Sequence, residues 1–375
     1  MPGAAGMNTT DLTRLAPEHI RRISRYVAGK PTDELARELG LDPTTIVKLA
    51  SNENPRGPGP TVRAAIAEAI AELPRYPDSN GFALKASLSR RLGVASNQLV
   101  LGNGSNDVLE LVSLAFLQAG DEAVYAQHAF IVYPLATQAR GARGIEVPAK
   151  AFAHDLPAMR AAITSKTRVV FIANPNNPTG TWIPPAALEA FVASVPRDVV
   201  VVIDEAYNEY LLPADRAQSV EWIARFPNLV VSRTFSKAYG LAALRVGYGI
   251  MDEAVADLLN RVRQPFNVNA LAQAAAAAAL ADADYVEESR LLNEAGLAQI
   301  TAGLQVLGVR YVPSHANFVL ANVGDASAVN TALLRQGIIV RPVANYGLPE
   351  WLRVTVGLPE ENTRFLTALT KALKG

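Results

Sequence analysis

Four short apolar runs, each followed by polar residues, most constrain how this 375-residue chain can fold. These runs, which are rich in β-branched residues, are 98–101, 169–172, 199–203 and 229–232. Continuous apolar runs are typical of strands that are covered on both faces, as in a parallel sheet. Helical patterns, for instance at 107–117 and 185–194, lie between the runs. Strands that alternate with helices predict an α/β layered domain.

The order of the patterns predicts two domains of unequal size, since the chain is long for a single domain. Helical patterns at 253–262 and 270–307 precede shorter strand candidates and a final helix, which indicates a smaller α+β unit. We predict a large three-layer α/β/α domain with a mainly parallel sheet at 49–262. The small C-terminal domain is predicted at 263–375, and residues 1–48 are predicted to form an N-terminal arm and part of the small domain.

Composition excludes several classes of protein. Lys plus Arg and Asp plus Glu both total 35, a balance that argues against binding to nucleic acid or an anionic membrane. The absence of cysteine excludes disulfides, thiolate metal sites and a cysteine nucleophile, and we predict no metal site. The longest nearly apolar stretch, around 271–281, is shorter than the roughly 18–20 residues of a membrane span. Residues 1–10 lack the pattern of a signal peptide, so we expect a soluble, cytoplasmic protein.

Polar residues follow each apolar run at the point where the strand should end. They are Gly102-Asn103-Gly104-Ser105-Asn106, Asn174-Pro175-Asn176-Asn177-Pro178-Thr179-Gly180, Asp204-Glu205-Ala206-Tyr207 and Ser236-Lys237-Ala238. In open α/β sheets, ligands bind beyond the carboxyl ends of the strands. Four strand ends therefore predict one shared pocket.

The most informative of these residues is Lys237. A lysine amine must be neutral to attack an aldehyde, and burial near a cation such as Arg245 lowers its pKa. A lone lysine would be interpreted as a solvated surface residue, but Lys237 follows an apolar strand and the segment Thr234-Phe235-Ser236. This context favours a covalent Schiff base between Lys237 and pyridoxal 5′-phosphate (PLP). Once freed by substrate, the same amine can carry a proton between the substrate and the cofactor.

The other polar residues match the remaining parts of PLP. Asp204 would pair with the protonated pyridine nitrogen, so that the ring withdraws electrons, although an Asp after a strand can also be a simple helix N-cap. Tyr207 and Asn177 would reach the phenolic oxygen of the ring. A phosphate group requires backbone N–H donors at a helix start, hydroxyls and a cation. These are predicted to be Gly104, Ser105, Asn106, Thr234, Ser236 and Arg245.

Taken in order, the motifs resemble those of the fold-type I, class-II PLP-dependent aminotransferases. They are Ser51-Asn52-Glu53-Asn54-Pro55, Tyr76-Pro77-Asp78 and the segments 102–106, 174–180, 204–207 and 236–245. The first two are more narrowly similar to those of the histidinol-phosphate aminotransferase subgroup, and the resemblance covers nearly the whole chain. It implies the fold-type I architecture and a homodimer whose active sites lie at the subunit boundary.

The resemblance also implies roles for residues that the strand pattern does not single out. Tyr76 would reach the cofactor phosphate of the partner chain. Arg353 would bind the anionic end of the substrate with help from Arg341, and Tyr26 and Asn52 would also contact substrate. An arginine fork suits a carboxylate or a phosphate. A surface ion pair is the alternative interpretation, and it suits Arg341 better than Arg353.

The chain departs from the family pattern at two places. Ala243 stands where the family often has glycine, and we expect only a small packing adjustment. Gln127-His128-Ala129-Phe130 replaces a more usual Pro-Thr-Tyr or Pro-Thr-Phe start. Phe130 could therefore either stack on the PLP ring or pack in the core, and His128 could either touch substrate or be incidental.

The resemblance implies transamination of L-histidinol phosphate with 2-oxoglutarate, which gives imidazole-acetol phosphate and L-glutamate in histidine biosynthesis. The alternative with the same chemistry is a phenylalanine or tyrosine aminotransferase. Two less favoured alternatives are a threonine-phosphate decarboxylase and a non-catalytic PLP-binding regulator. Regulators of that type usually carry a basic DNA-binding domain, and no such segment occurs here.

Overall fold

The computed structural model describes residues 12–26 and 29–374, so the prediction for residues 1–10 lies outside the described residues. The α-helices are α1 Glu18–Arg21, α2 Thr32–Leu39, α3 Pro60–Ala69, α4 Phe82–Leu92, α5 Ser105–Phe116, α6 Val132–Ala139, α7 Leu156–Ala161, α8 Pro185–Ser194, α9 Ser219–Trp222, α10 Glu253–Val262, α11 Ala270–Ala281, α12 Ala283–Val306, α13 Ala326–Arg335 and α14 Pro359–Ala372. The strands are β1 Val47–Lys48, β2 Leu99–Gly102, β3 Glu122–Ala126, β4 Arg143–Val147, β5 Thr167–Ala173, β6 Val200–Asp204, β7 Leu229–Thr234, β8 Gly247–Met251, β9 Arg310–Val312, β10 Phe318–Asn322, β11 Ile338–Ile339, β12 Arg341–Val343 and β13 Leu348–Thr355.

The larger sheet has seven strands in the order β2-β8-β7-β6-β5-β3-β4. Strand β8 runs antiparallel to both of its neighbours, and the other pairs are parallel. The four strands predicted from the apolar runs are present in this sheet as β2, β5, β6 and β7, and the prediction of a mainly parallel sheet is confirmed. Helices pack on this sheet, with α5 against β2 and β8 and α9 against β7.

The central strands are buried because their apolar side chains face helices on both sides of the sheet. Residues 169–172 of β5 and 201–203 of β6 have no exposed surface. Each fully buried Val or Ile side chain contributes about 1.5–3 kcal/mol relative to an exposed one. The rigid strands fix the positions of Asn174 and Asp204, because the backbone N–H of Asn174 donates to the carbonyl of Asp204 (3.0 Å).

The smaller sheet is antiparallel, with the order β12-β13-β10-β9, and packs against α12 and α13, which in turn contact α14. A separate two-stranded parallel sheet pairs β1 with β11, so that residues 47–48 join the C-terminal part of the chain. In helix α12, residues as far as Val286 belong to the hydrophobic core of the larger sheet, which also includes Ala316 and Phe318, whereas Ile300 and Leu304 belong to the core of the smaller sheet. Helix α12 thus contributes to both cores, and the predicted domain boundary at residue 262 stays a prediction.

The nearly apolar, alanine-rich segment around 271–281 forms α11. Its small side chains at 272, 275, 276 and 279 are buried, and the helix packs against α3 and α4. Asp282 separates α11 from α12, because its carboxylate accepts a hydrogen bond from the Tyr285 N–H (3.1 Å) and caps the second helix. Among residues 12–26 and 29–374, no helix is long and apolar enough to cross a membrane.

Candidate active site

A pocket lies at the carboxyl edge of the larger sheet, beneath strand β13 of the smaller domain. Its lining brings together residues from strand ends that are far apart in the sequence. The predicted residues in the lining are Tyr26, Asn52, Ser105, Asn106, Phe130, Asn177, Asp204, Tyr207, Thr234, Ser236, Lys237, Arg245, Arg341 and Arg353. Of the predicted site residues, only Gly104 and Tyr76 do not line it.

Lys237 follows β7 and projects into the pocket. Its Nζ donates to the carbonyl of Ser51 (3.0 Å) and lies 5.8 Å from the centre of the Tyr207 ring. Burial lowers the pKa of Lys237 to about 7, and the positive charges of Arg353 and Arg245 act in the same direction. A substantial fraction of the amine is therefore neutral, and nucleophilic, near neutral pH.

Asp204 ends β6 and is 5% exposed. Its Oδ2 accepts a hydrogen bond from the Tyr133 hydroxyl (2.9 Å), whereas its Oδ1 has no hydrogen-bond partner among the described residues. Burial raises the pKa of Asp204 to about 6, while the bonds from Tyr133 and the Ala206 N–H oppose this shift. Tyr133 is held by stacking on Phe171 (ring centres 4.8 Å apart). Asp204 thus directs one oxygen atom to a cationic or N–H partner in the pocket.

The N-terminus of α5 and Arg245 form one corner of the site. Helix α5 begins at Ser105, directly after Gly104, so its first N–H groups lack partners within the helix. Gly104 has φ +82°, and a Cβ there would lie 2.4 Å from Nη2 of Arg245, so only glycine lets the guanidinium approach this closely. Arg245 Nη1 also donates to Ser236 Oγ (3.2 Å). A guanidinium, hydroxyls and helix N–H groups together suit a phosphate.

Arg353 lies on β13 at the opposite end of the pocket and is 7% exposed. Its Nη1 donates to Asn177 Oδ1 (2.6 Å) and its Nη2 to the carbonyl of Ala50 (2.7 Å), while its Nε has no partner among the described residues. Both acceptors are neutral oxygen atoms, so they do not neutralise the charge of Arg353. The Asn177 amide nitrogen remains available to the pocket, because only the amide oxygen is used by Arg353.

Arg341 is the cross-strand partner of Arg353 in the β12–β13 pair. Side chains that are directly opposite in an antiparallel pair project from the same face, with Cβ atoms roughly 4.5–5.5 Å apart. The charge of Arg341 accordingly lowers the pKa of Arg353, although burial lowers it more. The Arg341 guanidinium also lies 5.6 Å from the centre of the Tyr26 ring, which is 59% exposed. Two cations thus face the same end of the pocket.

Asn52 lines the pocket, but its amide is committed to protein partners. Its Nδ2 donates to the Tyr207 hydroxyl (2.8 Å), and its Oδ1 accepts from Thr355 Oγ1 (3.1 Å). The predicted substrate contact of Asn52 stays a prediction, while the contacts present join its amide to Tyr207 and Thr355. Burial raises the pKa of Tyr207 to about 12, opposed by Arg353 and by the Asn52 bond.

Residues 127–130, which depart from the family pattern, lead into α6. Phe130 lines the pocket and also packs edge-on against Tyr133 (ring centres 5.9 Å apart), so both interpretations of Phe130 remain open. His128 does not line the pocket: its Nδ1 contacts the carbonyl of Tyr346 at 2.5 Å. Ala243 is exposed in a short 3₁₀ helix and needs no glycine-like backbone.

Tyr76 lies away from the pocket of its own chain. It is 82% exposed and stacks on Phe266, with ring centres 4.8 Å apart. An exposed pair of aromatic rings on one subunit is typical of a protein–protein contact. The predicted contact with a partner's cofactor stays a prediction.

Two functional tyrosines were missed by the sequence reasoning. Tyr133 donates to Asp204 from the first turn of α6, and Tyr346 lines the pocket from a short 3₁₀ helix between β12 and β13. Tyr133 lies three residues after Phe130, whose carbonyl accepts from the Tyr133 N–H (3.0 Å) in the turn before α6, and this short spacing was the available signal. No local pattern marks Tyr346. Among the described residues, no cluster of His, Asp and Glu could hold a metal ion.

The pocket fits PLP by three features of this chain. Asp204 Oδ1, which has no partner among the described residues, can accept a hydrogen bond from a protonated ring nitrogen. The Lys237 amine, whose pKa is lowered, can attack an aldehyde in its neutral form. The corner at Gly104 and Arg245 has the donors that a phosphate group requires.

Comparisons with known proteins agree with this geometry. A family model described as "Aminotransferase class I and II" matches residues 44–369. The chain is 60% identical to histidinol-phosphate aminotransferase 2 of Pseudomonas fluorescens over 97% of this chain and 98% of that protein. It is also 60% identical to histidinol-phosphate aminotransferase 1 of Cupriavidus pinatubonensis, over 96% of each.

The solved structures include the histidinol-phosphate aminotransferase of Sinorhizobium meliloti in complex with pyridoxal-5′-phosphate. It superposes with a TM-score of 0.88 at 29% identity and covers 99% of both chains. An aspartate aminotransferase mutant of Thermus thermophilus, 22% identical with a TM-score of 0.80, shares the fold across 95% of this chain and 99% of that one. The chain therefore belongs to the class I and II aminotransferases, in the histidinol-phosphate aminotransferase family.

Proposed function

We propose that this protein is a PLP-dependent aminotransferase that converts L-histidinol phosphate and 2-oxoglutarate to imidazole-acetol phosphate and L-glutamate, as a step of histidine biosynthesis in the cytoplasm. The observation that carries the proposal is the opposition of Arg341 and Arg353 across β12 and β13. Two guanidinium groups that project from the same face of a sheet can both contact one anion. A phosphate monoester carries two negative charges and therefore binds two adjacent cations better than a carboxylate does.

PLP, when bound, supplies an aldehyde that takes up the substrate amino group and a ring that withdraws electrons from the substrate carbon. The side chains of this chain hold and move protons around that chemistry. Lys237 would hold the aldehyde and, once freed, would take the proton from the substrate carbon. Asp204 would keep a proton on the ring nitrogen, while Tyr207 and Asn177 would donate to the phenolic oxygen.

The remaining residues of the pocket would bind the cofactor phosphate at one end and the anionic groups of the substrates at the other. Ser105, Asn106, Thr234, Ser236 and Arg245 would bind the cofactor phosphate, with Gly104 allowing the close approach of Arg245. Arg353 and Arg341 would bind the substrate phosphate or the carboxylates of 2-oxoglutarate, with Tyr26 beside Arg341. Phe130 lies on the same side as Tyr133 and is the candidate for stacking on the ring.

An Arg341→Gln variant tests the choice between histidinol phosphate and phenylalanine. With 2-oxoglutarate as acceptor, we expect wild-type kcat/KM to favour histidinol phosphate. The variant should lose roughly 10-fold in kcat/KM for histidinol phosphate and clearly less for phenylalanine, because the second cation serves a dianion more than a monoanion. Steady-state kinetics with both donors measure the ratio.

Arg310→Gln is the matched control, because Arg310 is exposed on β9 of the same sheet and does not line the pocket. It should leave both kcat/KM values unchanged. A wild-type preference for phenylalanine, or an equal loss for both donors in Arg341→Gln, would contradict the assignment of a phosphate substrate.

We further propose that the protein works as a homodimer in which Tyr76 completes the partner's cofactor phosphate site. Active-site complementation tests this arrangement. The variants Tyr76→Ala and Lys237→Ala are each expected to be impaired, but a mixed dimer regains one site with both residues intact. Random reassortment of equal amounts should give about a quarter of all sites as complete sites. The measurement is specific activity after unfolding and refolding the two variants together.

Refolding each variant alone provides the control for recovery. If Tyr76 acted within its own chain, no mixed dimer would hold a complete site and activity would stay at the level of the parents. A monomeric wild-type protein in analytical ultracentrifugation would also contradict the proposal.

A further inference from the structure

Asn52 has an unusual backbone at the junction of the two domains. It is 1% exposed and has φ +56°, a left-handed conformation that asparagine tolerates better than most non-glycine residues. Its carbonyl accepts from Asn317 Nδ2 (3.0 Å) in the segment before β10. The conformation is thus held by contacts, and it aims the Asn52 side chain between Tyr207 and Thr355.

The hydrogen bonds of Asn52 determine the direction of the Tyr207 hydroxyl. Asn52 Nδ2–H donates to the phenolic oxygen, because the Asn52 Oδ1 is occupied by the Thr355 hydroxyl. A phenol that accepts from one neighbour has its single proton free to donate in another direction. Arg353 and Asp204 are charged groups near Tyr207. Arg353 has only donors and cannot accept the Tyr207 proton, and Asp204 Oδ2 already accepts from the Tyr133 hydroxyl. The open side for the Tyr207 proton is the pocket.

Thr355 links this arrangement to the substrate-binding strand. Its Oγ1 also accepts from the backbone N–H of Asn52 (2.9 Å), so Asn52 and Thr355 are joined by two hydrogen bonds. Thr355 lies two residues after Arg353 on β13, and residues i and i+2 of a strand project from the same face. A shift of the strand that carries Arg353 therefore moves the partner of Asn52 as well.

We infer that Asn52 is a positioning residue, which holds the Tyr207 hydroxyl as a donor into the pocket and couples it through Thr355 to the strand that binds the substrate anion. The inference rests on the proposed function, because it requires a cofactor oxygen that receives the Tyr207 proton. A hydrogen bond to that oxygen lowers the pH at which the bound cofactor loses its proton. Weakening the bond should therefore raise the midpoint of that titration.

A double-mutant cycle on the holoenzyme, without substrate, tests the inference by the pH dependence of the cofactor's visible absorbance. Asn52→Gly keeps the left-handed backbone accessible and removes only the amide. Asn52→Gly and Tyr207→Phe should each raise the midpoint, by roughly half to one pH unit for the loss of one hydrogen bond. The double variant should shift no further than Tyr207→Phe alone, because the amide acts through the hydroxyl.

Thr355→Val tests the link to β13, since it keeps the side-chain shape and removes the hydroxyl. It should raise the midpoint by part of the Asn52→Gly shift, and Thr355→Ser should restore the wild-type value. A role of these residues in folding alone would lower the unfolding temperature without moving the midpoint. An unshifted midpoint in Asn52→Gly, or additive shifts in the double variant, would overturn the inference.

The outcome is separable from a failure of the proposed function. Wild-type protein with no visible Schiff-base absorbance would overturn both, because no cofactor would then be held at Lys237. A normal wild-type titration with an unmoved Asn52→Gly midpoint overturns only the positioning role. A preference for another amino donor leaves the test unaffected, because no substrate is present.

Discussion

Lys237→Ala is expected to lower kcat by at least roughly 10⁴-fold, because the variant loses both the covalent anchor of the cofactor and the base that moves the substrate proton. In the wild-type protein, borohydride should reduce the Schiff base to a stable amine that joins the cofactor to residue 237, and peptide mapping will locate the modified residue. In the variant, the reduced adduct should be absent. Attachment of PLP to wild-type apoprotein should accelerate as pH rises through about 7, because the pKa of Lys237 is lowered to about 7 and the amine is neutral above it.

Two controls separate lost chemistry from lost structure. Lys166→Ala removes an exposed lysine in the turn before β5 and should leave kcat unchanged. A small primary amine added to Lys237→Ala should restore part of the turnover, since it can move the proton in place of the missing side chain. Full activity of Lys237→Ala without added amine would refute the assignment.

Arg353→Gln is expected to lower kcat/KM for histidinol phosphate by roughly 10²–10³-fold, because a bidentate charged contact to the substrate anion is lost. Arg353 also donates to Asn177 Oδ1, so the position of Asn177 and therefore kcat should change as well as KM. Arg353→Lys, which keeps the charge but not the fork, should lie between wild type and Arg353→Gln. Steady-state kinetics of the three proteins measure the series.

The amount of bound cofactor is the control for this series. Arg353 lies at the end of the pocket opposite Arg245, so both variants should retain the wild-type amount of bound cofactor, measured by its absorbance after gel filtration. Retention of kcat/KM within about 3-fold in Arg353→Gln would show that the substrate anion binds elsewhere.

The larger sheet could be predicted because its central strands are continuous apolar runs. The runs that became β5, β6 and β7 carry almost no polar side chain, since both faces are covered. Strands β3, β4 and β8 were missed for physical reasons. Strand β3 contains a glutamate and two alanines, residue types that are depleted in strands. Edge strand β4 has a half-exposed surface with Arg143 and Glu146, and β8 contains glycines at 247 and 249, which weaken any strand pattern.

The pocket could be predicted as far as it depends on strand ends. Asp204 and Lys237 follow directly from the rule that polar groups after parallel strands share one edge. Contacts between distant segments could not be predicted in this way. The pairing of Asn52 with Thr355 and Tyr207 depends on how two domains meet, and the bond from Tyr133 to Asp204 depends on the orientation of α6. Only the assembled structure contains that information.

The pairing of β1 with β11 makes the smaller domain discontinuous in the sequence. Val47 and Leu49 contribute to the same core as Phe365 and Leu369, near the other end of the chain. During synthesis, the early segment must wait for nearly all of the polypeptide to emerge before it gains its native neighbours, whereas the larger sheet can close sooner. No single cut in the backbone can therefore release the smaller domain as an intact fragment.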